Sequence, residues 1–460
     1  MPAYSGDRLF MSTQTDSYGY RLSTSNPAAA AAYNDAARSF VAWRADTMKH
    51  LGVAIEADPE FVEPKLLKAW ILHSARTQKF KPAVQSLLSE AEPYLGDASE
   101  RMRVFDKSVR LANNGSLQGG VSVMETHLAK NPTDILAHRL AQFELFWSGE
   151  SRWMRDIVER SAPAWSEDTL DFAHFQAVRA FSNEEAGDYK TSERCGRDAV
   201  ARLPDSAWGA HAVAHTLVMQ GRVDEGADFM EALSGNWTAA NQIGHHCWWH
   251  LCLFLLERGE HNRILNLLDT QVRNPDSNLV KAMPDATIDL QNVASLLKRL
   301  ELRGVDVGDR WDSIAVHCAE RTTDHANPFS SAHDAIALSA VGRFDLVEDL
   351  LGNMKGLDGS HGVVGAVTQT LGVPVVEAIA AHRKGDHAQV VDRLWAVRRY
   401  LHQIGGSHAQ RDLFFQILVD SAVKAGRSTQ VAILLDDVAG IGFERVTERS
   451  LYREAAATVN

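Results

Sequence analysis

The chain predicts an all-α fold, an α-solenoid of antiparallel helix pairs, either open or closing on itself. Three observations carry that expectation. Glycines followed by polar residues and a fresh amphipathic run recur at Gly149, Gly187, Gly221 and Gly259, at spacings of 38, 34 and 38. They continue at Gly342, Gly385 and Gly426, at 43 and 41. That period lies close to the roughly 34 residues of a tetratricopeptide-like helix-turn-helix unit, in which glycine accepts the left-handed turn between the two helices. A slower rhythm runs beside it: Asp58-Pro59, Asn131-Pro132 and Leu203-Pro204 recur at 73 and 72 residues, or about two units apiece. No stretch alternates apolar and polar residues between turn signals, so no strand is called for.

Taken in order, residues 1–26 are polar and rich in Ser, Thr, Gly and Tyr, which suits an extended N-terminal arm. Asn26-Pro27 then opens AAAAAYNDAARSFVAW, where proline fits the first turn of a helix. Residues 27–460 read as one helical-repeat domain. The pattern weakens between Arg273 and Asn327, where NPDSN and KAMPDA resemble loops, and again from Gly356 to Pro374 in GLDGSHGVVGAVTQTLGVP. Long irregular segments of a solenoid commonly cross one face, so both are expected to serve as lids.

The totals exclude some function classes and favour others. Of 460 residues, 45% are hydrophobic and 23% charged, ordinary globular values. The formal charge of −12 is spread without a basic stripe, and nucleic acid is accordingly not expected as a partner. Cys195, Cys247, Cys252 and Cys318 form no CxxC, which points to a reducing compartment without a disulfide framework. The first residues contain no apolar signal region, and no run of eighteen apolar residues occurs. A cytoplasmic protein without a membrane span is the expectation.

The most informative stretch is His211 to His250. HAVAH and HHCWWH each hold two histidines four apart, His211 with His215 and His246 with His250, which puts each pair on one helical face. Equivalent members are 35 positions apart, so the pairs occupy matching turns of neighbouring repeats. They precede Gly221 and Gly259, which places them on first helices, the ones that line the inner face. Helices packed at about 8–10 Å would bring the four rings to a common point. There they could bind a transition metal, act as general acid and base, or hold an anionic ligand. The structural alternative is four rings packed between helices and hydrogen-bonded to one another. The sequence requires no cofactor, and a metal would use these four residues.

The chain resembles the tetratricopeptide repeat protein 38 family from about Ser23 to the C-terminus. The resemblance rests on STSN, NPTD, AW before HAVAH, HHCWWH, LERGE, RLELRGVDVGDRW, the Ala332-His333 pair, GVP and IGGSHAQRD. It implies an all-helical repeat protein and no established reaction. The family's second motif, H-x-x-W-H, falls on His246, Trp249 and His250, and leaves His245 and Cys247 with less weight. His333 falls on the family's AH pair and joins the histidines as a candidate catalytic residue. In IGGSHAQRD, His408 stands where other members carry a different polar residue.

That last motif has its own physical content. Gly405-Gly406 interrupts a helix, Ser407 can cap the next, and its first backbone N–H groups with Arg411 could receive a carboxylate or phosphate. Gln410, Arg411, Asp412 and Trp249 are the candidate ligand-binding residues. Asp285 and Asp289, four apart, could orient a histidine, although two acids in a first turn also suit a helix start. There is no G-x-S-x-G, Walker loop or G-x-G-x-x-G, and Cys247 reads as a buried thiol.

Two functions follow. One is a His-rich inner pocket that binds, and by acid-base chemistry transforms, a small polar or anionic molecule, as a hydrolase, isomerase or lyase would. The other is a non-catalytic scaffold holding a peptide or partner protein on its concave face. The central His, Trp and Cys favour the small ligand.

Overall fold

All seven rhythmic glycines are left-handed turn residues, with φ between 64° at Gly221 and 84° at Gly187. At Gly149 the geometry admits nothing larger. A Cβ there would sit 2.2 Å from the His402 carbonyl oxygen, so the turn also makes room for a distant segment. Gly149→Ala should therefore cost about 1–3 kcal/mol, through the αL penalty plus displacement of the 398–404 segment. Gly259→Ala, with φ of 74° and open space around it, should cost only the smaller conformational part. Urea denaturation of the two variants side by side checks the difference.

The computed structural model describes residues 14–96, 98–357 and 359–459. Among them there is no β-strand, only isolated bridges at Thr15 with Arg21 and Arg44 with Ala240. The first helix, Pro27–Val41, begins where Asn26-Pro27 predicts, with the Asn26 side chain accepting from the N–H groups of Ala28 and Ala29. Helix pairs then follow the glycine turns: Ile135–Ser148 with Ser151–Ser161, Phe172–Glu185 with Tyr189–Arg202, Ala207–Met219 with Val223–Leu233, and Ile243–Arg258 with His261–Leu267. First helices pack on first helices along the array. A continuous apolar core runs through it, with a second cluster under the N-terminal helices.

Three expectations change here. Residues 14–26 are a tight turn and not an extended arm, because the buried Asp16 carboxylate pairs with Arg101 and accepts from the backbone of Tyr18 and Tyr20. Residues 1–13 of that segment lie outside the described residues. The weak stretch from Arg273 to Asn327 holds another pair, Thr287–Glu301 and Asp312–Ala319, whose first helix is buried over most of its length. The expected second lid is largely helix: Gly362–Val367 passes through a π-turn, Thr368–Gly372, into Val373–Arg383. The widened turn sits where Pro374 cannot donate a backbone hydrogen bond, so the axis continues despite the proline. Gly362–Arg383 is also long and apolar enough to cross a membrane by length and composition, and half of its most apolar window is buried against the array.

The array curls back on itself. The loop after the first helix joins Arg44 to Ala240, Tyr189 Oη donates to Gly442 O at 2.8 Å, and Glu444 N donates to Met219 O at 2.7 Å. The helix His408–Lys424 lies across the inner helices Ala207–Met219 and Thr287–Glu301 and is buried on every side. It closes the space that an open solenoid would leave as a groove.

Candidate functional site

Ala207–Met219 and Ile243–Arg258 are neighbouring first helices, so their matched turns face each other. The four rings meet. Centroids lie 5.0 Å apart for His211 and His246, 4.9 Å for His211 and His250, and 4.4 Å for His215 and His250. All four side chains are buried, His215 and His250 completely. One nitrogen on each ring lies within 4.8 Å of one on every other.

Burial removes hydration from the charged form, so all four stay neutral at physiological pH. His246 is lowered to about 4, with its bond to Asn292 working against burial. His211, His215 and His250 fall well below the ordinary imidazole range through burial, with the other rings adding to it.

Satisfaction of the rings is incomplete. His211 Nε2 and His215 Nε2 share one hydrogen at 2.9 Å, and His246 Nδ1 donates to Asn292 Oδ1 at 2.7 Å. Nδ1 of His211, Nδ1 of His215 and both nitrogens of His250 have no hydrogen-bond partner among the described residues. Each such buried atom costs about 1–3 kcal/mol. A purely structural cluster, with rings satisfied by one another, does not describe this arrangement.

Carboxylates absent from the histidine motifs stand behind them. Glu184 Oε2 is 3.4 Å and Glu185 Oε1 3.9 Å from His215 Nδ1. They come from the end of Phe172–Glu185, the first helix of the preceding pair. Burial and then the charge of Glu185 push Glu184 well above the carboxylate range; burial also raises Glu185, opposed chiefly by Arg411. The two adjacent carboxyls thus share a raised proton affinity in one dry site.

The C-terminal helix completes the site. Ser407 caps it in a capping box with Gln410, as its sequence position suggests. The backbone N–H of His408 donates to Glu185 Oε1 at 3.2 Å, and His408 Nε2 donates to Glu185 O at 3.2 Å. Arg411 donates to Gly406 O and lies 3.8 Å from Glu185 Oε2. The carboxylate expected from a ligand at this helix start is thus the chain's own Glu185.

A cavity of about 340 Å³ opens onto this group. Glu185, His408 and Arg411 form part of its wall, with Arg152, Arg398, Arg399 and His402 around the rest. The four quartet histidines do not line it.

Other candidates are engaged elsewhere. His333 Nδ1 donates to Phe329 O at 2.8 Å, and its ring packs between Phe329 and Phe414, so it is a core histidine apart from the quartet. Gln410 spends its side-chain oxygen on the Ser407 N–H. Asp412 accepts from Arg449 at 2.6 Å, Gln416 at 2.6 Å and Tyr452 at 2.5 Å. Trp249 is buried, stacked on His246 at 4.8 Å, with Nε1 donating to Ser295 Oγ; it positions a ring and meets no cavity. Asp289 orients His245, not a quartet ring, at 3.0 Å, and Asp285 pairs with Lys79. Burial raises the Cys247 thiol, and its S–H donates to Ala207 O.

Sequence reasoning missed Glu184, Glu185 and Asn292 and undervalued His408. The one available signal was NEEAG, two adjacent acids at the end of an inner helix just before turn glycine Gly187.

No family model matches the chain. Among solved structures, a human IFIT1 dimer with PPP-AAAA is 12% identical over 93% of each chain, at a TM-score of 0.41. Human IFIT1 with m7Gppp-AAAA is 13% identical over 86% of this chain and 88% of that one, at 0.37. Yeast Tom70 is 12% identical over 93% and 86%, at 0.35. The chain is a tetratricopeptide-like helical-repeat scaffold, and likeness at this level assigns no ligand. It does overturn one expectation. Helical-repeat proteins of this kind are solved with capped and triphosphate oligonucleotides, so the exclusion of nucleic acid drawn from net charge and the preference for a small ligand drawn from the central His, Trp and Cys are both withdrawn. Net charge sums the whole surface, whereas binding responds to the local field of a cleft.

Proposed function

We propose that this helical-repeat protein carries an acid-base centre in which Glu184 and Glu185, backed by His215, exchange protons with a molecule seated in the adjoining cavity. The observation that supports it is the position of Glu185. Its carboxyl lies in the cavity wall between Arg411 and His408, while Glu184 and His215 stand behind it, shielded from solvent. A buried carboxyl pair with raised proton affinity, beside a neutral imidazole, is suited to general acid and base work. The reaction class is hydrolysis, isomerisation or elimination. Arg398 and Arg399 share the single carboxylate of Asp437 and Arg152 stands at the mouth, and this excess of guanidinium favours an anionic group, whether it belongs to a free molecule or to the end of a chain. A peptide on the concave face would have to displace His408–Lys424, and no feature of that buried helix favours such a partner.

The test uses calorimetry with inorganic pyrophosphate and, separately, a 5′-triphosphate oligoadenylate. Saturable binding of either, weakened about tenfold or more by Arg152→Glu at the mouth and not weakened by Glu185→Gln, which removes a carboxyl and no cation, is expected. The arm that binds identifies the source of the anion. Failure of both probes with the folded wild-type protein, or unchanged affinity in Arg152→Glu, sinks the reading.

A further inference from the structure

Beyond this acid-base reading, though sharing His215 and Glu184 with it, the ring geometry points to a metal site. We propose that His211, His215, His246 and His250 bind one divalent transition-metal ion. Asn292 and Glu184, standing behind the rings, act as positioning residues.

The argument begins with the protons. Asn292 Oδ1 lies 2.7 Å from His246 Nδ1 and takes its hydrogen, leaving Nε2 of that ring as a lone pair. Glu184 Oε2 lies 3.4 Å from His215 Nδ1 without a hydrogen bond in this arrangement, near enough to take the Nδ1 hydrogen once a metal claims Nε2. A partner on the outer nitrogen that fixes the tautomer and turns the other nitrogen inward is the arrangement found behind metal-bound histidines. Between His211 Nε2 and His215 Nε2, 2.9 Å apart, only one hydrogen bond is available, and neither nitrogen of His250 has any partner among the described residues. Of the four lone pairs on four neutral rings, only one accepts a hydrogen from a neighbouring ring, and a cation at their common point would meet the others.

Size and charge agree. Four donors at about 2.0–2.1 Å from a tetrahedral ion stand about 3.3–3.4 Å from one another. The donor atoms now lie within 4.8 Å, so rotations of the rings by a fraction of an ångström to about an ångström close the shell. The four rings do not line the cavity described above and face one another instead. Neutral imidazoles suit zinc, copper, nickel or iron, and Glu184 with Glu185 places anionic capacity immediately outside the shell. Glu185, 3.9 Å from His215 Nδ1, also lines the cavity.

The test is a Co²⁺ titration of chelator-treated, gel-filtered protein, read by the visible absorption of four-coordinate Co²⁺ and by elemental analysis. One equivalent per chain is expected, with Zn²⁺ displacing it. The double variant His215→Gln/His250→Gln, checked for cooperative unfolding without metal, is expected to show no band. Absence of the band in the wild-type protein overturns the proposal. So does an unchanged band in the double variant, which would assign the ion to the half-buried trio His382, His387 and Asp420. Asn292→Ala removes no ligand and should weaken Co²⁺ about 10–100-fold. Unchanged affinity there overturns the positioning role, and it stays readable if the double variant does not fold. Arg152→Glu, which weakens anion binding at the cavity mouth, should leave Co²⁺ uptake at one equivalent, so the two readings fail separately.

Discussion

Replacing Asp134 with alanine is expected to cost about 3–5 kcal/mol, the loss typical when one partner of a buried ion pair is removed. Its carboxylate accepts from Arg101 Nε and Nη2, each at 2.7 Å, and from His127 Nε2 at 2.9 Å. It also caps Ile135–Ser148 through the Ala137 N–H. Although burial alone raises this carboxyl, Arg101 and then His127 hold it well below the usual carboxylate range. Arg101 is buried and uses its remaining arm on Asp16, also at 2.7 Å. Without Asp134, the guanidinium would keep only the Asp16 carboxylate in a dry site, and the turn at residues 14–26 would be anchored to an arginine held on one side alone. Denaturant melts should show the full loss. Limited proteolysis should show earlier cleavage near residue 20. A cost within about 0.5 kcal/mol, the range of ordinary surface substitutions, would remove this network from the stability account.

The second large effect is acid sensitivity above the range where carboxylates titrate. His138 and His333 are both buried and both lowered to about 4, first by burial. For His138, the bond to Pro132 O and the charge of Asp134 work against that shift; for His333, the bond to Phe329 O opposes it and Arg299 adds to it. In the unfolded chain each imidazole titrates near 6.5. The folded value is the depressed one, so the stabilising contribution is complete above about pH 6.5 and is lost as pH falls towards 4. From pH 7 to pH 5 the unfolded state takes up nearly a full proton at each residue and the folded state almost none, a loss of about 2 kcal/mol per histidine. Stability measured at both pH values should therefore fall by about 4 kcal/mol less in His138→Gln/His333→Gln than in the wild-type protein. Identical losses would mean that these rings are protonated in the fold.

Legibility followed the range of the interaction. The glycine turns, the Asn26-Pro27 start and the Ser407 cap were readable because each is settled within four or five residues of chain. Gly362–Gly372 misled because glycine and β-branched residues weaken helix propensity, which packing against neighbours overrode. His333 misled for the opposite reason: its sequence position was informative, but the carbonyl that occupies its Nδ1 belongs to its own helix one turn back.

By itself the sequence determined the repeat architecture and the register of the two histidine pairs, since both arise from periodicity along one chain. The tertiary structure alone decided what surrounds them. His215 lies 31 residues after Glu184, His246 lies 46 before Asn292, and Arg411 lies 226 after Glu185, spacings that share no period. These groups meet because the array curls and lays its C-terminal helix across the inner face. Desolvation inside that closed centre keeps the rings neutral and raises the proton affinity of the Glu184–Glu185 pair, a property no local pattern encodes.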